Sequence, residues 1–334
     1  MKYKIVAKTG LVSDKEKDFS AIDAQLIEAA LTSEDEIIKE ASDADAVIVG
    51  AVEPYSKRVI EALTKCRVIS RQGIGCNNID LIAATEQGIP VAYVPDASTV
   101  EVSDHAMALI LCFSRKLFTI SQAVKEGVWQ PGKVMRTLVS PLYRLSEHTL
   151  GLVGLGRIGK AVCEKAKTFG MRTIIYDPYI SEVVVKGLGA EPVDFDTLVA
   201  ESDYISLHAP LTEETRHLFG LEQFKKMKPT AYIINTARGG LIDEEALITA
   251  LTEGYLAGAG LDVTEPEPPR PDNPLIKMEN VIITGHTAFY SERSISELSR
   301  CAGEAVIAAL TGQWPAQLAN PEVKDRANCR LNTL

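Results

Sequence analysis

The stretch Thr149-Leu-Gly-Leu-Val153-Gly154-Leu-Gly156-Arg157-Ile158-Gly159 sets an apolar run directly before glycines spaced G-x-G-x-x-G, and a helical pattern then continues to Phe169. Strand, glycine turn and helix in that order form a phosphate cradle. Gly154 permits the tight turn, Gly156 lets the backbone approach a pyrophosphate, and Gly159 lets the helix pack closely on the strand. The helix start offers unpaired N–H donors and a partial positive charge to the phosphates. Glycine-rich turns are common, and here the context adds specificity. The next β-rich run ends Ile174-Ile175-Tyr176-Asp177, with Asp177 18 residues beyond Gly159. A carboxylate there can accept hydrogen bonds from a ribose diol and repels a 2′-phosphate, which favours NAD over NADP.

Around this turn, β-rich runs at 149–153, 173–176, 204–207, 232–235, 256–261 and 281–284 alternate with helical patterns. They predict a doubly wound parallel sheet in the order 3-2-1-4-5-6. A long apolar helix is expected over 100–122, then an irregular connection over 126–146 containing Trp129, Pro131 and Pro141. Upstream, runs at 4–7, 46–49, 68–70 and 91–94 predict a separate α/β unit without a glycine-rich phosphate turn. Ser33 and Glu36 form a capping-box pattern at the head of one of its helices. A helix over 292–311 and an extended tail with Pro315 and Pro321 close the chain.

Composition narrows the partners. The 334 residues suffice for two domains, and the formal net charge is −10. That balance argues against nucleic acid and against a polybasic membrane surface. No apolar leader pattern opens the sequence, and the longest strongly apolar run, 106–113, is far short of a membrane span. The six cysteines show no CxxC and no zinc spacing, so no metal site is expected and a reducing cytoplasm is the default compartment.

Three further residues fall just past strand ends: Arg238, Asp262 and His286. Open α/β sheets bind ligands outside the carboxyl ends of their strands, so these residues can share one crevice with the glycine turn. Reduction of a 2-oxo acid builds negative charge on the carbonyl oxygen and needs a proton. Arg238 is permanently charged, and its fork can address carbonyl and carboxylate oxygens together. His286 is the candidate proton donor, and Glu267 the carboxylate that orients its ring. Of the other histidines, His208 should line the cofactor crevice and His105 should be packed, while His148 and His217 should be exposed.

These residues resemble the D-isomer-specific 2-hydroxyacid dehydrogenase family over nearly the whole length. The carrying motifs are Gly154–Gly159 with Asp177, Leu207-His-Ala-Pro-Leu-Thr212, Asn235-Thr-Ala-Arg-Gly-Gly240, Gly260-Leu-Asp-Val-Thr-Glu-Pro-Glu267-Pro and Thr284-Gly-His286. The resemblance implies Arg238, Glu267 and His286 as the catalytic trio, with Asp262 near the nicotinamide amide. It implies an NAD site built from the glycine turn with Arg157 and Ile158, from Asp177 and Pro178, and from His208, Ala209, Pro210 and Thr215. Thr236 and Ala237 complete it beside Arg238. It also implies two doubly wound parallel-sheet α/β domains, a Rossmann NAD domain (100–289) inserted into a flavodoxin-like substrate domain (1–99 and 290–334). The partner is then a small 2-oxo or 2-hydroxy acid, and the assembly a homodimer through the cofactor domains.

Within the family, Tyr176-Asp-Pro-Tyr179 and His286-Thr-Ala-Phe-Tyr-Ser-Glu292 are similar to the branch of the C-terminal-binding proteins, corepressors with a dehydrogenase fold. In that branch an arginine at Arg71 contacts the substrate carboxylate, which the backbone of Gly73-Ile74-Gly75 could also cap. Phe289 replaces a tryptophan of that branch and would wall the side-chain pocket. Formate dehydrogenases of the superfamily carry glutamine where Glu267 stands, so Glu267 points to alcohol–carbonyl chemistry. An NAD(H)-sensing binding protein and a short phosphoglycerate dehydrogenase are the alternatives.

Overall fold

The computed structural model describes residues 2–12, 19–130 and 135–332. The chain divides into two compact units: Met1–Ser98 with Ser291–Leu334, and Thr99–Tyr290.

The first unit is a five-stranded parallel sheet of β1 (Tyr3–Lys8), β2 (Ala24–Ala29), β3 (Ala46–Val49), β4 (Val68–Arg71) and β5 (Val91–Tyr93), in the order β2-β1-β3-β4-β5. This is the flavodoxin-like order. The central strand β3 is a continuous apolar run because helices cover both faces, and every residue of β3 and of β4, Ser70 and Arg71 included, is buried. Strand β2 has no counterpart among the β-rich runs of the sequence. It lies at the sheet edge, and Ala24-Gln-Leu-Ile-Glu-Ala29 buries only its first residue fully, so no apolar run announces it. The helix Glu292–Leu310 returns to this sheet, where the buried Ser70 hydroxyl donates to the Ala302 carbonyl at 2.9 Å. Ser33 caps the helix Glu34–Ala41 by accepting from the Glu36 N–H, but the reciprocal half of the box is displaced: Glu36 accepts from the N–H of Thr32 at 2.8 Å. The tail is not simply extended. It forms a 3-10 turn, Pro321–Asp325, behind the buried Asn320, which accepts from the Val91 N–H and donates to the Ile89 carbonyl.

The second unit is a seven-stranded parallel sheet. Its strands are β6 (Thr149–Val153), β7 (Arg172–Tyr176), β8 (Glu191–Pro192), β9 (Tyr204–Leu207), β10 (Tyr232–Asn235), β11 (Gly258–Leu261) and β12 (Val281–Ile283). The order is β12-β11-β10-β9-β6-β7-β8. Counted within the unit this is 7-6-5-4-1-2-3, a doubly wound sheet with a seventh strand, and it corrects the six-strand count. The additional strand, Glu191–Pro192, is an edge strand of two residues containing a proline, which offers no pattern to read.

The helix expected over 100–122 is two helices, Thr99–Ser114 and Leu117–Lys125, bent by 61° where Lys116 takes a left-handed φ of 50°. The first packs through Ala106, Met107 and Ile110 in one core with Val162, Cys163 and Ala166 of the helix Arg157–Thr168. The connection after it contains a short helix, Arg136–Val139, ahead of Pro141, while Pro131 lies outside the described residues. Among the described residues no single helix is long and apolar enough to cross a membrane. All six cysteines are free thiols.

Candidate active site

Strand register builds the site. Val153 pairs with Tyr176 on one side and Leu207 on the other, Leu207 with Asn235, Asn235 with Leu261, and Leu261 with Ile283. Six strands therefore end on one rung. The residues that follow them (Gly154, Asp177, His208, Thr236, Asp262 and Thr284) stand in a row along the carboxyl edge of the sheet.

The glycine turn stands in this row between His208 and Asp177. Gly154 has φ 93°, and a Cβ there would lie 2.8 Å from the Ala209 nitrogen, so the turn backs directly onto His208 and Ala209. A Cβ on Gly159 would meet the Gly154 carbonyl oxygen at 2.3 Å, whereas one on Gly156 would meet nothing within 4 Å. Open space thus lies over Gly156, and Arg157–Thr168 starts from it without a side-chain cap. Arg157 is exposed and Ile158 half-buried at the head of that helix.

Asp177 braces the turn. Its Oδ2 accepts from the Leu155 N–H at 2.7 Å, and its Oδ1 accepts from the Tyr179 N–H at 2.9 Å across the exposed Pro178. Each oxygen retains a second lone pair for a diol. His208 shares a hydrogen bond with Ser206 at 2.9 Å, and desolvation pushes its imidazole down to about 4, leaving it neutral near pH 7. The Thr215 hydroxyl donates to the Pro210 carbonyl at 2.6 Å and accepts from the Thr212 N–H at 2.8 Å, closing the loop after His208. Thr236 is buried, and its Oγ1 has no hydrogen-bond partner among the described residues. An open backbone cradle, a carboxylate with lone pairs to spare and an orphaned hydroxyl on one edge fit a dinucleotide.

Arg238 sits on a turn tied off by Asn235. That fully buried side chain accepts from the Ala237 N–H at 3.0 Å and donates to the Arg238 carbonyl at 2.8 Å. The guanidinium is half-buried and donates through Nη1 to the Ala237 carbonyl at 2.6 Å. Next to it, a Cβ on Gly239 would lie 2.0 Å from the Thr264 carbonyl oxygen. Only glycine lets this turn approach the loop 262–268 so closely, and that loop carries Glu267.

His286 lies on a turn after β12 with a left-handed φ of 56°. Its Nδ1 hydrogen-bonds an Oε of Glu267. The turn itself is held by Asp262, 2% exposed: Oδ1 accepts from the Thr284 hydroxyl at 2.6 Å and the Thr287 N–H at 2.9 Å, and Oδ2 from the Ala288 N–H at 3.1 Å. The Asp262 carbonyl accepts from the His286 N–H at 2.6 Å. Phe289 places its ring edge-on to His286, 6.2 Å between centroids.

Arg71, Gly73, Ile74 and Gly75 belong to the other unit. There the Arg71 side chain is 6% exposed and folds onto its own loop, donating from Nε to the Gly75 carbonyl at 2.8 Å and from Nη1 to the Gln72 carbonyl. Of the two histidines expected to be exposed, His148 differs and His217 agrees. His148 is half-buried in a row of rings between Tyr143 and Tyr204, because the strand it precedes begins beneath them. His217 is exposed but pairs with Glu265 at 3.1 Å, as Arg216 does at 3.0 Å. Asn235 is a positioning group that the motif reading does not single out, although Asn and Asp side chains commonly close a turn two residues on.

A family model described as the D-isomer specific 2-hydroxyacid dehydrogenase, NAD binding domain, matches residues 107–288. The chain is similar to a glyoxylate reductase of Korarchaeum cryptofilum, 42% identical over 287 residues that cover 86% of each chain. It is 42% identical over 256 residues to a D-3-phosphoglycerate dehydrogenase of Archaeoglobus fulgidus; the match covers 77% of this chain and 47% of that one. The solved D-lactate dehydrogenase of Aquifex aeolicus, complexed with NAD and lactic acid, superposes with a TM-score of 0.83 at 28% identity, covering 95% of this chain and 99% of that chain. The protein belongs to the D-isomer-specific 2-hydroxyacid dehydrogenase family, and its cofactor is NAD.

Proposed function

We propose that this chain is a 2-oxo acid reductase in which Arg238, His286 and Glu267 act together on a small substrate. The observation that carries the reading is the His286–Glu267 hydrogen bond on the strand-end row that also presents Arg238. Bound NADH supplies a hydride to the carbonyl carbon. Arg238 faces the charge that grows on the carbonyl oxygen and orients the adjacent carboxylate through its fork. His286 donates the proton to that oxygen through Nε2, since Nδ1 is taken by Glu267. Glu267 fixes the orientation of the ring through that hydrogen bond. In the oxidative direction His286 takes the hydroxyl proton instead.

Asp177 receives the adenine ribose diol, and the helix start at Gly156–Ile158 receives the pyrophosphate. Pro178, Ala209, Pro210 and Thr215 shape the adenosine side, while His208, Thr236, Ala237 and Asp262 shape the nicotinamide side. Arg71 and the backbone of Gly73, Ile74 and Gly75 are our candidates for the substrate carboxylate. Phe289, already against His286, is the candidate wall of the side-chain pocket. Glyoxylate and other short 2-oxo acids are the preferred class, by similarity to the glyoxylate reductase. A phosphoglycerate dehydrogenase activity is the less favoured alternative; the match covers 47% of the Archaeoglobus relative. We also propose a homodimer through the cofactor domain, supported by the exposed side chains of Leu117, Phe118, Val128 and Trp129. Free thiols at all six cysteines support a reducing compartment such as the cytoplasm.

A panel of glyoxylate, hydroxypyruvate, pyruvate, phosphohydroxypyruvate and a branched oxo acid, each followed by NADH consumption, tests the reading. Turnover of a short 2-oxo acid is expected. Tight NADH binding without turnover of any member would favour an NAD(H)-sensing binding protein instead.

A further inference from the structure

His105 lies on the helix Thr99–Ser114, 179 residues before Thr284 in the sequence, and has no place in the chemistry above. Its Nε2 is nevertheless 2.9 Å from the Thr284 hydroxyl oxygen. That hydroxyl has one proton, and it is given to Asp262 Oδ1 at 2.6 Å, because a carboxylate can only accept. The remaining role of Thr284 Oγ1 toward His105 is acceptor. The imidazole must therefore carry its proton on Nε2 and donate it. The chain of donors runs one way: His105 Nε2–H to Thr284 Oγ1–H to Asp262.

Asp262 is the group that shapes the His286 turn. It takes the N–H groups of Thr287 and Ala288 on its carboxylate and that of His286 on its carbonyl. His286 is held there in a left-handed conformation that a non-glycine residue adopts only when its surroundings impose it. The His105 side chain is 24% exposed and the Asp262 side chain 1%, so water competes weakly for these bonds.

We infer that His105 is a positioning residue of the reductase site, acting through Thr284 and Asp262 to hold the His286 turn in its proton-transfer geometry. The inference rests on the functional reading given above for His286. It assigns His105 no contact with substrate. The contribution is orientation: a small displacement of His286 spoils the transition state more than substrate or cofactor binding.

The test compares His105→Leu with His105→Gln, whose Nε2 amide can again donate to Thr284. In the leucine variant kcat should fall by about 10-fold or more, with the Kd for NADH and the KM for the oxo acid within about 2-fold of wild type. The glutamine variant should recover most of the lost kcat. Amide hydrogen exchange over 284–288 should be faster with leucine and return toward the wild-type rate with glutamine, whatever the turnover. A leucine variant with wild-type kcat and wild-type exchange overturns the proposal. So does an equal loss in both variants, which would mark His105 as packing alone. Wild-type protein that reduces no oxo acid sinks the functional reading only, and the exchange rates still decide whether His105 holds the turn.

Discussion

Glu267 and His286 stand 19 residues apart on different loops, yet a Glu267 carboxylate oxygen meets His286 Nδ1. The contact fixes which ring nitrogen faces outward, because Nδ1 is engaged and Nε2 is left for chemistry. Glu267→Gln keeps the shape but replaces the charged acceptor at Nδ1 with a weaker amide oxygen. We expect kcat to fall by roughly 10- to 1000-fold, with NADH affinity within about 2-fold of wild type. Steady-state kinetics beside fluorescence titration of NADH checks it. An unchanged kcat would remove Glu267 from the mechanism.

Arg238 is presented by a turn that Asn235 closes from within the core. Arg238→Lys keeps the charge but loses the planar fork, which a single ammonium cannot replace at two oxygens. A loss of about 100-fold or more in kcat/KM is expected. Folding should be unaffected, since the guanidinium is half-buried at a strand end rather than in the core. Wild-type kcat/KM in the lysine variant would contradict the polarising role.

Asp177 serves two ends at once. It accepts from Leu155 and Tyr179, and it is our candidate acceptor for the adenine ribose diol. Asp177→Ala should raise the ratio of NADPH to NADH use by about 10-fold or more, with some loss of NADH affinity as the glycine turn loses its brace. Parallel kinetics with both dinucleotides measures it. An unchanged ratio would leave Asp177 as a brace alone.

His208 makes stability depend on pH. Its folded value, about 4, lies below the roughly 6.5 of a free imidazole, so between these values the unfolded chain binds a proton that the folded protein does not. The contribution of a neutral His208 is complete above about pH 6.5, declines as the pH falls toward 4, and is constant below. The difference should be on the order of 1 to 3 kcal/mol, toward the low end because the ring is partly exposed. Urea unfolding at about pH 7.5 and about pH 5 should show it, and His208→Asn should shrink it. A difference of the same size in the variant would assign the effect to other groups.

Several of these features are legible in the amino-acid sequence alone. The glycine spacing, Asp177 and the interior strands β6, β9 and β10 are carried by continuous apolar runs and short motifs, which the chain displays locally. Strands β2 and β8 are hidden because edge strands need no apolar face. The break at Lys116 is hidden because Ser114-Arg115-Lys116 carries no glycine or proline and apolar residues resume at Leu117, as along a single helix. Arg238, Asp262 and His286 can be placed past strand ends from the order of residues, but not the way Asp262 grips the turn of His286. That grip depends on the register of β11 against β12 and on a donor from the distant helix carrying His105. Long-range hydrogen bonds of this kind have no local signature.

The most direct measurement is NADH-dependent reduction of a short 2-oxo acid by wild type and by His286→Ala, with NADH binding titrated in both. Wild type should turn over, and the alanine variant should bind NADH within about 2-fold of wild type while losing at least about 100-fold in kcat. Equal turnover by the two proteins would contradict proton transfer by His286, and a collapse of NADH binding in the variant would place that residue's work elsewhere.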